Sequence, residues 1–146
     1  MRIQQIDNPR MINEWNDAVN ALTVQVSGWA TDQRWSVERS EKQVNEGAFG
    51  VYQLPVLTLE IPARRRSSQH KSRQGGRLIM EPIARNFPGS GIIELYAYPT
   101  LYRVRLIRRS EDDTWEVLTD SGITLHQEWN KANFVTLADD LLAAGR

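Results

Sequence analysis

Two periodicities divide this chain. Met11, Ile12, Trp15, Val19 and Leu22 recur at three- and four-residue intervals, with Asn13, Glu14, Asn16, Asp17 and Asn20 between them. That spacing lines one face of a helix. Asp7-Asn8-Pro9 supplies the start signal, an Asn cap and then Pro at the first helical position. A helix is therefore predicted from about Pro9 to Ala21. From Leu22 the period falls to two. Leu22, Val24 and Val26 alternate with Thr23, Gln25 and Ser27, and Trp35 and Val37 alternate with Arg34, Ser36 and Glu38. Both stretches read as strands.

Further apolar, β-branched runs follow at Val51–Pro62, Leu78–Phe87, Gly91–Tyr98, Leu101–Arg109 and Trp115–Thr119. Turn signals separate them: Asn45-Glu46-Gly47, Gly75-Gly76, Pro88-Gly89-Ser90-Gly91, Tyr98-Pro99 and Glu111-Asp112-Asp113. The helical period returns at the end, where Phe134, Leu137, Ala138, Leu141 and Leu142 share a face. Asn130 is placed as its cap and Gly145 as its C-terminal stop. No strand is followed by a helix and then another strand, so parallel crossovers are not expected. The pattern predicts one α+β domain over residues 1–146. Its sheet has about six to seven mostly antiparallel strands, with an N-terminal and a C-terminal helix packed on it. Trp15, Leu57, Leu106, Val117, Leu137 and Leu141 are the expected core.

Composition narrows the class. With 146 residues, 40% hydrophobic and 25% charged, the chain has the make-up of a globular domain. It contains no cysteine. Disulfides, Cys-based zinc sites and thiol catalysis are excluded. No stretch approaches the ~20 apolar residues of a membrane span, and the first residues lack the apolar core of a secretory signal. Met1 is read as an unprocessed start, the expected location is cytoplasmic, and no membrane partner is expected.

Charge changes the picture more than composition does. The chain balances overall, 18 Lys+Arg against 18 Asp+Glu. Its thirds do not. Residues 1–63 are net negative, residues 64–109 hold 11 basic and 2 acidic residues, and residues 110–146 are again acidic. A basic middle of this kind suits an acidic partner, either nucleic acid or an acidic protein surface. Its densest part, Ala63 to Arg77, carries six Lys/Arg, one His and no acid. With nothing apolar to bury, residues 64–77 are expected to form a mobile basic hairpin loop that adds nothing to the core. The candidate binding residues there are Arg64, Arg65, Arg66, Lys71, Arg73 and Arg77. Arg103, Arg105 and Arg109 share one face of a later strand and join the set. Tyr96, Tyr98 and Tyr102 lie nearby, and aromatic rings beside basic groups are the materials of single-strand stacking. A solvated charged loop without a partner is the plain alternative.

Catalytic chemistry is thinly represented. Glu60, Glu81 and Glu94 fall in predicted strands beside the arginines. Three carboxylates so placed suggest a metal-dependent phosphodiesterase. The acid-x-Lys step that such nucleases use is missing, because Pro62 and Tyr96 stand where Lys is needed. His70 sits in the basic loop and His126 just before the last helix, neither with a triad pattern around it. Pro88-Gly89-Ser90-Gly91 lacks the strand–loop–helix setting of a phosphate loop. No cofactor is expected. The resulting expectation is a non-enzymatic binding or adaptor protein. A metal-dependent phosphodiesterase and a subunit of a larger assembly are the alternatives, and the residues leave the oligomeric state open.

Overall fold

The N-terminal helix is longer than its boundary signals indicate. In the computed structural model, which describes residues 2–45, 50–65, 72–84, 91–109, 114–119, 124–125 and 128–143, helix α1 spans Arg2–Asp32. It passes through Pro9, which removes a single backbone donor. It also continues through Leu22–Val26, so the strand expected there is not formed. The reason lies in what the residues bury. Trp15, Val19, Leu22, Val26 and Ala30 form one continuous row at helical spacing, all of it buried. Packing that row outweighs the local β-preference of Thr23 and Val24. Thr23 Oγ1 donates to the Val19 carbonyl at 2.8 Å, so its hydroxyl is satisfied within the helix. Val24 points away from the row and is 67% exposed.

The helix ends in a left-handed residue, Arg34 (φ 65°). The Trp35 N–H returns to the Ala30 carbonyl at 3.0 Å and the Arg34 N–H to Thr31 at 2.9 Å. This is a Schellman-type stop with Arg where Gly is usual. It turns the buried Trp35 into the core and starts the sheet.

Seven strands follow among the described residues: β1 (Ser36–Asn45), β2 (Val51–Ile61), β3 (Gly76–Ala84), β4 (Ile92–Tyr98), β5 (Arg103–Arg109), β6 (Thr114–Thr119) and β7 (Thr124–Leu125). Each pairs antiparallel with the next, so spatial order equals chain order. Helix α2 spans Lys131–Ala143. Asn130 caps it as expected, its Oδ1 accepting the Asn133 N–H at 2.9 Å. The proposed stop at Gly145 lies outside the described residues.

Both helices cover one face of the sheet. Leu57 and Leu59 of β2, Met80 of β3, Leu95 of β4, Leu106 of β5 and Val117 of β6 meet them there, all buried. The tryptophans belong to this layer. Trp15 lies 6.2 Å from Trp115 between ring centroids. Phe134 of α2 sits among Trp29 (5.6 Å), Trp35 (6.0 Å) and Trp129 (5.9 Å). Trp129 Nε1 donates to Gln25 Oε1 of α1 at 3.0 Å, which ties the start of α2 to the first helix. Leu141 is buried as expected, but Leu137 is only partly so. Its position on the wheel is the flank of the face, where Phe134, Ala138, Leu141 and Leu142 form the centre. The protein is a single α+β domain with one covered and one open sheet face.

Because the sheet is a meander, alternate connections share an end. The β2–β3 connection and the β4–β5 turn lie at one end, joined there by the start of β1. The C-terminal end of α2 lies at that end too: Gln74 Nε2 reaches the Leu142 carbonyl (2.6 Å) and Thr100 Oγ1 the Leu141 carbonyl (2.8 Å). Those are two of the carbonyls that a helix end leaves without an internal partner.

Candidate functional site

The root of the basic hairpin is built, not loose. Arg64 and Arg73 exchange backbone hydrogen bonds of 2.7 and 2.8 Å, which extends the β2–β3 pairing beyond the strands. Their side chains then converge on Asp139 of α2. Arg73 Nη1 donates to Oδ1 at 2.6 Å and Arg64 Nη2 to Oδ2 at 3.1 Å, one carboxylate oxygen for each arginine. Arg73 Nη2 also donates to the Pro62 carbonyl at 3.0 Å. Its guanidinium lies 5.5 Å from the Trp35 ring centroid, and its side chain is 5% exposed. Around this buried guanidinium a carboxylate, a carbonyl and an aromatic face take the place of water. The expectation that this segment adds nothing to the core fails at Arg73, and the physical reason is Asp139, which no local pattern connects to it.

The remaining candidates divide by their partners. Arg77 pairs with Glu60 across β2 and β3 at 2.9 Å, both side chains well exposed. Arg103 and Arg105 approach Glu94 at 3.5 and 3.9 Å, and the Glu94 side chain is 16% exposed. The arginine row on β5 is thus no bare positive stripe; a carboxylate is set into it. Arg65 is exposed, and it pairs with no described residue. Arg66, Lys71 and His70 lie outside the described residues, as does His126. Arg109 belongs to β5, but its side chain is not among those described.

Beside the hairpin root stands the β4–β5 turn. Tyr98, Leu101 and Tyr102 are exposed, Leu101 at 66% and with a positive φ of 66°. Tyr98 is the register partner of Arg77, and Tyr102 precedes Arg103. Tyr96 packs edge-on against Tyr98 at 5.9 Å. Two phenol rings and an aliphatic side chain are therefore presented to solvent between arginines, at the end of the sheet where Arg64 and Arg73 form the hairpin root.

The three carboxylates of the phosphodiesterase alternative do not converge. Glu60 is held by Arg77. Glu81 accepts from Lys42 Nζ (2.7 Å) and from the Tyr96 hydroxyl (3.1 Å). Glu94 faces Glu81 directly across β3 and β4 but turns to Arg103 and Arg105. Like charges directly opposite on a sheet repel; here each is neutralised from its own side. The Lys42 hydrogen bond holds the Glu81 carboxyl below its ordinary value despite the opposing effect of burial. Burial, and then the bond to Glu81, push the Tyr96 phenol up to about 12. Among the described residues no three acidic or histidine side chains are grouped to hold a metal ion. Glu81, Lys42 and Tyr96 act as a structural clamp on the open face.

Asp139, Thr100, Leu101 and Lys42 are the site-shaping residues that local pattern did not single out. Asp139 carried one readable signal: an acid near a helix C-terminus opposes the helix dipole and calls for a nearby cation. Comparison of the chain with protein-family models, with curated proteins and with solved structures gave no match.

Proposed function

We propose that this protein is a non-enzymatic binding module that holds single-stranded nucleic acid at the end of the sheet where the basic hairpin meets the Tyr98–Tyr102 turn. The observation that carries this reading is the placement of exposed Tyr98 and Tyr102 beside Arg77, Arg103 and the root of the hairpin formed by Arg64 and Arg73. Phosphates would be met by Arg65, Arg66, Lys71 and Arg77, with a largely Coulombic gain from counterion release. Unstacked bases would rest on the two phenol rings. A flexible single strand suits the site better than a duplex, because a duplex hides its base faces. Arg64 and Arg73 position the hairpin through Asp139. Among the described residues no helix is long and apolar enough to cross a membrane.

Fluorescence anisotropy with a labelled single strand and a labelled duplex, at low and physiological salt, tests the reading. Binding should favour the single strand and fall steeply with salt. Replacing Arg65, Arg66 and Lys71 by Ser should weaken it and flatten the salt dependence while leaving unfolding unchanged. Tyr98→Ala with Tyr102→Ala should cost roughly 1–3 kcal/mol per lost stack. If neither probe binds at low salt, the nucleic-acid reading is wrong and an acidic protein surface becomes the better partner.

A further inference from the structure

Strand β1 is ten residues long and hydrogen-bonds to β2 along its whole length, but its other edge meets no described strand. Most of its side chains are exposed. Its sequence is Ser36-Val37-Glu38-Arg39-Ser40-Glu41-Lys42-Gln43-Val44-Asn45. Charged edges normally keep sheets apart. The order of the charges here has a further property. In an antiparallel pairing of two copies about a two-fold axis normal to the sheet, opposed residues must share a face. The centre of pairing must then fall on a residue. Centred on Glu38, Arg39, Glu41 or Lys42, the pairing sets that charge against itself. Centred on Ser40, it sets Arg39 opposite Glu41 of the second copy and Glu38 opposite Lys42 of the second copy, each twice by symmetry. Val37 then faces Gln43 and Ser36 faces Val44. No like charges meet in this register.

We infer that the free edge of β1 is a self-recognition surface, on which a second copy of this chain pairs antiparallel about Ser40 to give a closed two-fold dimer with one continuous sheet. The structure already shows the reach this needs. Arg39 Nε and Glu41 Oε2 lie 3.3 Å apart within one strand, on a shared face. Lys42 reaches inward over β2 to Glu81 and the Pro82 carbonyl of β3, so the two Arg39–Glu41 contacts carry the seam and Glu38 meets no like charge across it. Asn20 of α1 accepts a hydrogen bond from Arg39 at 2.9 Å, so the helix runs beside this edge. Val24, one turn further along, is highly exposed there and supplies an apolar contact flanking the seam. Among the described residues strand β7, at the far side of the sheet, has two residues against the ten of β1. A head-to-tail chain of sheets is therefore disfavoured and the two-fold arrangement closes.

Two single substitutions test the register. Arg39→Glu sets like acids opposite each other in a homodimer, and Glu41→Arg sets like bases opposite each other; a mixed pair restores both contacts. Sedimentation equilibrium should show the wild type passing from 16.8 kDa toward twice that mass as concentration rises. Each variant alone should lose about tenfold or more in dimer affinity, and an equimolar mixture should recover it. The double variant Arg39→Glu with Glu41→Arg should dimerise like the wild type. That result also shows that the substitutions spare the fold. A wild type that stays monomeric up to about 1 mM, the weak limit of measurable association, overturns the inference. So do single variants that dimerise like the wild type, or a mixture and double variant that do not recover.

Discussion

Removing the Asp139 carboxylate should unfasten the basic hairpin from α2. Asp139 accepts two charge-assisted hydrogen bonds, at 2.6 Å from Arg73 and 3.1 Å from Arg64. Leaving a buried charge without its partner costs about 3–5 kcal/mol in a fully closed site. Two features reduce that here. Asp139 is 27% exposed, and Arg73 keeps the Pro62 carbonyl and the Trp35 ring. The expected loss for Asp139→Ala is therefore about 2–3 kcal/mol. Asp139→Asn, which preserves shape and an acceptor but not the charge, should lose less. Urea unfolding reads the difference: with a slope of about 1–3 kcal/mol per molar for a domain of this size, the midpoint should fall by roughly 1–2 M. Arg73→Met removes the charge instead of stranding it. The double variant Asp139→Ala with Arg73→Met should then cost less than the two single losses added, by about 1–3 kcal/mol of coupling. Amide exchange should quicken at Arg64 and Arg73, whose N–H groups close the hairpin root. A loss below about 0.5 kcal/mol for Asp139→Ala, with strict additivity, would refute the claim that Arg73 is held as a buried, paired cation.

Three further outcomes are expected. Glu81 has its carboxyl lowered mainly by the Lys42 hydrogen bond. The stabilisation it gives should be complete at neutral pH and should fade as pH drops below the ordinary carboxylate value. The gap in urea midpoint between wild type and Glu81→Gln should close on acidification; a gap independent of pH would mean the clamp contributes no charge-dependent stability. Leu141→Ala should cost about 2–5 kcal/mol and Leu137→Ala clearly less, as read by thermal or urea unfolding, since only the first is buried; equal losses would contradict the burial of this face. Arg34→Gly should stabilise the domain by up to about 1 kcal/mol in the same assay, because a left-handed stop suits Gly. A destabilised variant would show that the Arg34 side chain does more there than end the helix.

The two parts of the candidate site differ in how far they were legible. The basic run of residues 64–77 and the Tyr98–Tyr102 aromatics stand out in the chain itself, because charge and ring chemistry need no partner to be recognised. Their meeting does not, since it depends on the meander placing the β2–β3 and β4–β5 connections at one end. Arg103 and Arg105 are both exposed and both approach Glu94, as their alternation on β5 predicts. Glu94, set among them from the neighbouring strand, offsets one of the two positive charges there.

Periodicity determined the class of this protein: apolar residues at spacing two or three to four are one-dimensional records of which face must leave water, so the α+β order, the antiparallel sheet and the Asn130 cap follow from the chain alone. Tertiary structure decided where local preferences conflict. Leu22 and Val26 fit both periods and Val24 only the period of two, and the continuous burial of Trp15, Val19, Leu22, Val26 and Ala30 against the sheet selects the helix. It likewise decided that Arg73, in a segment with every mark of a solvated loop, becomes a buried ion. Its partner Asp139 lies 66 residues further along, and a charge is buried or solvated according to what folding brings to it, which no local pattern records.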